Sequence, residues 1–102
     1  DEESVKESIK NLILTDKGER LMRPNIGGNM RSLLFDNITP ATIKIAEEQI
    51  RTTISDYEPR AEIIDVEVKS TIDENRIEVT IRFYLTNIEQ PISVNLFLER
   101  IR

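Results

Sequence analysis

Apolar and polar positions along the chain change period once. From Ser4 to Leu14, Val5, Ile9, Leu12 and Ile13 recur at helical spacing, with Lys6, Glu7 and Lys10 between them, so an amphipathic helix is predicted. Gly18 supplies a stop, with Thr15, Asp16 and Lys17 as turn residues before it. Glu19 to Asn29 shows no period. Pro24 biases Arg23 to an extended shape, and Gly27-Gly28 allows backbone angles closed to other residues. Met30 to Phe35 reads as a short helical turn or two. A longer helix is predicted from Pro40 to about Asp56. Thr39 is its N-cap, Pro40 its first residue, and Ile43, Ala46, Ile50, Thr53 or Ile54, and Tyr57 its apolar stripe. Lys44, Glu47, Glu48 and Arg51 are expected away from that stripe. Pro59 ends the helix.

After Arg60 the period becomes two. Ile64, Val66 and Val68 alternate with Ile63, Asp65 and Glu67. Ile77, Val79, Ile81 and Phe83 alternate with Glu78, Thr80, Arg82 and Tyr84. Ile92, Val94, Leu96 and Leu98 alternate with Ser93, Asn95, Phe97 and Glu99. Each run has one apolar face, the pattern of an antiparallel sheet covered on one side. The connections, Ser70 to Asn75 and Thr86 to Pro91, are short enough for hairpins. The expected fold is therefore α+β, with N-terminal helices packed on one face of a three-stranded antiparallel β-meander. Its first and third strands lie at the edges. The 102 residues suffice for a single domain, 1–102, with no repeat or linker.

Composition narrows the chemistry. Nineteen acidic residues against 14 basic give a net charge of −5, which makes nucleic acid an unlikely class of partner. The absence of Cys removes disulfide and thiolate chemistry and suits a reducing compartment. Without His, a transition-metal site and His-based general base catalysis are both disfavoured. No cofactor, metal or small-molecule ligand is expected. No apolar run approaches the ~20 residues that span a bilayer, so no membrane association is expected either. No basic-then-apolar signal segment opens the chain. It begins at Asp1 without Met, as expected of a chain whose N-terminal piece has been trimmed.

Two motifs stand outside this patterning. One is Gly18-Glu19-Arg20-Leu21-Met22-Arg23-Pro24-Asn25-Ile26-Gly27-Gly28, followed by Arg31-Ser32-Leu33-Leu34-Phe35. The other is Glu58-Pro59-Arg60, after Tyr57, where the period changes. The first is read either as an ordered loop with solvated arginines or as a basic loop that docks on a partner. Gly27-Gly28 lacks a following Lys-Ser/Thr, so a phosphate cradle is set aside. The second is read as a helix stop with Arg60 at the last carbonyls, or as a rigid, exposed ion-pairing corner. In the second case Pro59 limits the entropy lost on docking and Arg60 offers planar, bidentate bonds. The two readings are compatible. The last strand, Ile92 to Ile101, is an edge protected by Glu99, Arg100 and Arg102, or an edge offered to a partner's strand. Phe97 on its polar face fits an interface.

In order and spacing these motifs resemble the baseplate wedge and sheath-initiator family of contractile-tailed phages, which has relatives in type VI secretion baseplates. The resemblance runs from about Val5 to Leu98. Gly18, Glu19, Arg20, Arg23, Pro24 and Gly27 match its pattern, and Leu33-Leu34-Phe35 are expected in the core. Asn25 and Ile26 stand where the family often has an acidic residue and an aromatic. The resemblance implies a non-enzymatic subunit of a virion tail baseplate, assembled in the bacterial host cytoplasm. Its implied partners are other wedge proteins, held through Glu58, Pro59, Arg60, Arg20 and Arg23, and the tail sheath subunit, met by a sheath-like sheet that includes Phe97. The alternatives are a type VI baseplate subunit, a plain interaction domain in an unrelated complex and, from the lysozyme-like label the family carries, a glycoside hydrolase. The hydrolase needs two carboxyls across a cleft, one with a raised pKa. Glu58 is the only distinctive candidate, and Arg60 nearby should lower its pKa instead.

Overall fold

The computed structural model describes residues 2–14, 35, 38–71, 76–86 and 88–99. Among them are helix α1 (Glu2–Leu14), helix α2 (Pro40–Tyr57) and strands β1 (Ala61–Thr71), β2 (Arg76–Leu85) and β3 (Ile92–Glu99). The strands form one antiparallel sheet in the order β1-β2-β3. α2 packs along β1, and α1 packs against α2 and β3, so one face of the sheet is covered. This is the α+β meander expected from the period change.

Local chemistry explains the ends of α2. The Thr42 N–H donates to Thr39 Oγ1 at 3.1 Å, and the Thr39 N–H donates back to Thr42 Oγ1 at 2.8 Å. This reciprocal capping box satisfies two otherwise orphaned donors. Pro40 at the first helical position costs nothing, because its missing N–H would be unpaired there anyway. At the other end Glu58 leaves helical geometry with φ −136° and ψ 72°, yet its N–H still reaches the Ile54 carbonyl at 2.8 Å.

The core is built from three apolar stripes. Val5, Ile9 and Ile13 of α1 and Ala46, Ile50 and Ile54 of α2 lie buried over the sheet. Beneath them β2 and β3 bury every second residue, including Ile77, Val79, Ile81, Phe83 and Leu98. Each such Val, Ile, Leu or Phe contributes about 1.5–3 kcal/mol relative to exposure. Phe35, from the segment between the helices, is helical and packs against this core, as expected. Leu33 and Leu34 lie outside the described residues, as do most of the Met30–Phe35 turn and the Gly18–Gly28 loop.

Two expectations are corrected. In β1 the pairing shifts between Ile63 and Asp65: Ile63 opposes Phe83 and Asp65 opposes Arg82, which leaves Ile64 as an extra residue. A bulge of this kind reverses the inside-outside alternation. Ile63, expected on the polar face, therefore packs against the core, while Val66 and Val68 resume the inner face beyond the bulge. Ile64, expected beside Val66 and Val68, has no partner in the register. Tyr57 was expected on the buried stripe of α2 but is 53% exposed. The buried position one turn beyond Ile54 is taken by Glu58, only 4% exposed.

Candidate functional site: a buried carboxylate beneath an exposed arginine

Glu58, Pro59 and Arg60 form a tight turn that carries the chain from α2 into β1. The Ala61 N–H donates to the Glu58 carbonyl at 3.1 Å, and Pro59 sits at the second turn position, where its fixed φ suits the bend. Arg60 reaches back across the turn with two parallel bonds. Its Nε donates to Glu58 Oε2 at 2.7 Å and its Nη2 to Glu58 Oε1 at 3.1 Å. The pair is asymmetric in exposure: the Glu58 side chain is 5% accessible and the Arg60 side chain 55%.

The expected exposed ion-pairing corner is thus half right. Glu58 is not presented to solvent: it is one of the buried polar residues, and only Arg60 of the pair is exposed. The bonds from the Arg60 guanidinium hold the Glu58 carboxyl below its ordinary value of 4.5. Burial opposes that, while the Ser8 hydroxyl, the Arg60 charge and the Arg60 backbone N–H add to it. Arg60 is correspondingly held more firmly protonated by Glu58. The alternative in which Arg60 bonds the last helix carbonyls is replaced by this bond to the carboxylate. Two of the five guanidinium N–H groups are spent on Glu58, and the exposed remainder suits an acceptor on another molecule.

Other surface groups gather at this end of the sheet. Ala61 opposes Leu85, so the β2–β3 connection lies beside the turn. Ile88 in that connection is 40% exposed. Tyr57 flanks the turn on its helical side. Phe97 belongs elsewhere. It lies on the outer face of β3 opposite Glu78, seven residues along β2 from Leu85, about 23 Å at strand rise. It is 40% exposed, and the Arg76 guanidinium sits 4.3 Å from its ring centroid, a cation–π contact. Arg20 and Arg23 lie outside the described residues. Of the residues singled out in the sequence, then, the structure joins Glu58, Pro59 and Arg60 and sets Phe97 apart.

The two edges of the sheet differ. Along β1, α2 caps outward-pointing backbone: Glu47 Oε2 accepts from the Val68 N–H at 3.0 Å, and Arg51 Nη2 donates to the Ile64 carbonyl at 3.5 Å. Both residues were expected to lie away from the apolar stripe, and they reach β1 from beside it. Helical spacing assigns a face but does not show that a long side chain on its margin can reach a strand edge. Along β3 the outer edge meets no further strand among the described residues. The outer sheet face pairs internally, through Arg82 with Asp65 at 2.7 Å and Asn95 with Glu78 and Thr80 at 2.8 and 2.7 Å.

An open, mostly apolar hollow of about 550 Å³ lies on the solvent side of α2, lined by Ala41, Lys44, Ile45, Glu48, Gln49 and Thr52. Glu48 is its single carboxylate among those residues, so it does not offer the acid pair of a glycosidase. Among the described residues no three His, Cys, Asp or Glu side chains cluster to hold a metal. Nor is any helix of those residues long and apolar enough to cross a membrane.

Comparison with known proteins follows the same lines. A family model described as baseplate wedge protein gp25 matches residues 1–90. The chain is 36% identical over 80 residues to the baseplate wedge protein gp25 of Enterobacteria phage T4. That match covers 78% of this chain and 61% of the relative, so the chain spans about three-fifths of that protein's length. A solved structure from Geobacter sulfurreducens, named a "putative tail lysozyme", superposes with a TM-score of 0.70 at 27% identity. The match covers 97% of this chain and 92% of the other.

Proposed function

The chain belongs to the baseplate wedge protein gp25 family, and on that premise we propose that it is a structural subunit of a contractile-tail baseplate wedge. In this reading it does two jobs at two places. The Glu58-Pro59-Arg60 turn holds neighbouring wedge proteins through the outward N–H groups of Arg60. The β3 edge accepts a strand of the tail sheath subunit and so initiates the first sheath ring, in the virion tail assembled in the host cytoplasm. The observation that supports this most is the asymmetry of the sheet. Glu47 and Arg51 cap backbone groups along β1, while among the described residues no strand pairs with the outer edge of β3.

The test is nucleation. Purified protein mixed with the sheath subunit of its own machine is expected to shorten the lag of sheath polymerisation. The double variant Ser93→Lys, Asn95→Lys places charges on exposed positions of β3, which blunts strand addition while sparing the core. It is expected to lose the effect. Full nucleation by that folded variant would remove β3 from the mechanism.

The glycosidase reading finds no support in the chemistry of Glu58. A general acid needs a carboxyl with a raised pKa beside substrate, and this one is buried, doubly bonded to Arg60 and held ionised. Pure protein is expected to release no soluble fragments from peptidoglycan. Turnover abolished by Glu58→Gln with the fold intact would reinstate the enzyme.

A further inference from the structure

We infer that the outward face of α2 is a self-docking surface, on which a second copy of this chain packs antiparallel about a two-fold axis. This inference is independent of the Glu58-Pro59-Arg60 turn and of the β3 edge. Ile45 stands 38% exposed on this face, and the hollow beside it is mostly apolar. Helical spacing orders the lining residues. At about 100° per residue, Ala41 and Thr52 fall on the midline, Lys44 and Glu48 on one flank, and Ile45 and Gln49 on the other. The short midline side chains leave the hollow. Ile45, Glu48, Gln49 and Thr52 stand at i, i+3, i+4 and i+7, the set that forms a four-residue hole for a knob from a facing helix. Gln49 Oε1 is buried and accepts no hydrogen bond among the described residues, so the flank it stands on lacks a donor.

A second copy complements this face in charge, shape and donors. In an antiparallel two-fold pair each flank meets the same flank of the partner. Centred at the level of Ala46 and Glu47, the pairing sets Ala41 opposite the partner's Thr52. Lys44 then lies about 1.5 Å along the axis from the partner's Glu48, which gives two reciprocal ion pairs. Glu48 is free to serve, being 66% exposed and only 4.0 Å from Arg51. The partner's Ile45 enters the hole of Ile45, Glu48, Gln49 and Thr52, and the reverse contact is identical. On that flank the two Gln49 residues start about 7.5 Å apart along the axis, a gap that two extended glutamines span. The amide of one can donate to Oε1 of the other once that oxygen turns outward about a soft torsion. A parallel pair would instead set Lys44 and Glu48 against the partner's Ile45 and Gln49, with no ion pairs. One Lys and one Glu leave the face neutral, so the chain's charge of −5 does not oppose the contact locally. So few residues a side make a small interface and a weak dimer.

The experiment is sedimentation equilibrium of the full chain from about 10 μM to 1 mM, where a dimer with a Kd on the order of 0.1 mM is expected. Ile45→Arg, at a half-exposed position, is expected to weaken association at least about tenfold with an unchanged circular dichroism spectrum. Lys44→Glu and Glu48→Lys are each expected to weaken it about as much, because each makes the charged flank a row of like charges. Mixed in equal amounts, these two variants are expected to associate with each other more tightly than either does with itself, since opposite charges then alternate along the flank. Ser93→Lys, Asn95→Lys, which blunts β3, is expected to leave association unchanged. A monomer at every concentration would overturn self-docking. Association that survives Ile45→Arg, or the absence of preferential pairing in the mixture, would overturn it too. Two of those outcomes reassign the face. A monomer whose Ile45→Arg variant melts several degrees lower has the hollow covered by its own chain. A monomer whose Ile45→Arg variant keeps its thermal midpoint but fails to join co-expressed wedge proteins has a wedge partner seated there.

Discussion

Two arginine–carboxylate pairs in this molecule have nearly the same contact and different surroundings. Arg60–Glu58 and Arg82–Asp65 both close to 2.7 Å with bidentate geometry. The Glu58 side chain is 5% accessible, whereas the Asp65 and Arg82 side chains are 48% and 47% accessible. Both carboxyls are held below their ordinary values, chiefly by the hydrogen bonds from arginine. The distance alone therefore does not say what a pair does. On the outer sheet face, water and salt replace a lost partner. At the buried Glu58, a stranded carboxylate has little water to turn to.

The comparison can be broken or sharpened in four ways. The largest effect is expected from Arg60→Ala, which leaves Glu58 buried without its main partner. Its thermal midpoint should fall well below that of Arg82→Ala, measured side by side by circular dichroism. Equal losses would mean that burial of Glu58 does not matter.

Next comes Glu47→Ala, at the capped sheet edge. It leaves the Val68 N–H without its carboxylate acceptor, a cost of about 1–3 kcal/mol if water cannot reach the group. Urea unfolding measures it, and light scattering should show a greater tendency to self-associate through β1.

Third is pH. Because the folded-state pKa of Glu58 lies below its unfolded value near 4.5, the unfolded chain binds more protons below that point. The stabilisation is complete above about 4.5 and is lost as the pH falls through the lowered value. Asp65 behaves likewise below its ordinary 3.8, with a smaller effect because solvent screens the pair. In Arg60→Ala the acid-side loss between pH 5 and 3 should shrink markedly, and in Arg82→Ala only slightly.

Smallest is salt. Raising ionic strength to about 1 M shortens the screening length to roughly 3 Å. It should erase the difference between wild type and Arg82→Ala while leaving most of the Arg60→Ala deficit in place.

Much of this fold was legible because its elements are regular. The alternation in β2 and β3 maps residue for residue onto buried and exposed positions, and Thr39-Pro40 marks the start of α2. Phe97 was readable as the odd aromatic on a polar face for the same reason. Legibility failed where an element departs from its period. The bulge turns Ile63 toward the core and leaves Ile64 without a partner in the register, and alternation cannot reveal an inserted residue. At the end of α2 the helical stripe points to Tyr57, yet the chain turns and buries Glu58.

By itself, the amino-acid sequence determined the class of fold, the order of its elements and the place of the Glu58-Pro59-Arg60 turn. Those follow from local periods, caps and proline geometry, which act over a few residues. Only the tertiary structure decided that Glu58 is an internal anchor and Arg60 the outward group, and that Glu47 and Arg51 cap β1 while β3 meets no further strand among the described residues. Each of these depends on how the elements pack around one core, as where residues 13 and 21 positions apart meet along β1, and no local spacing encodes that.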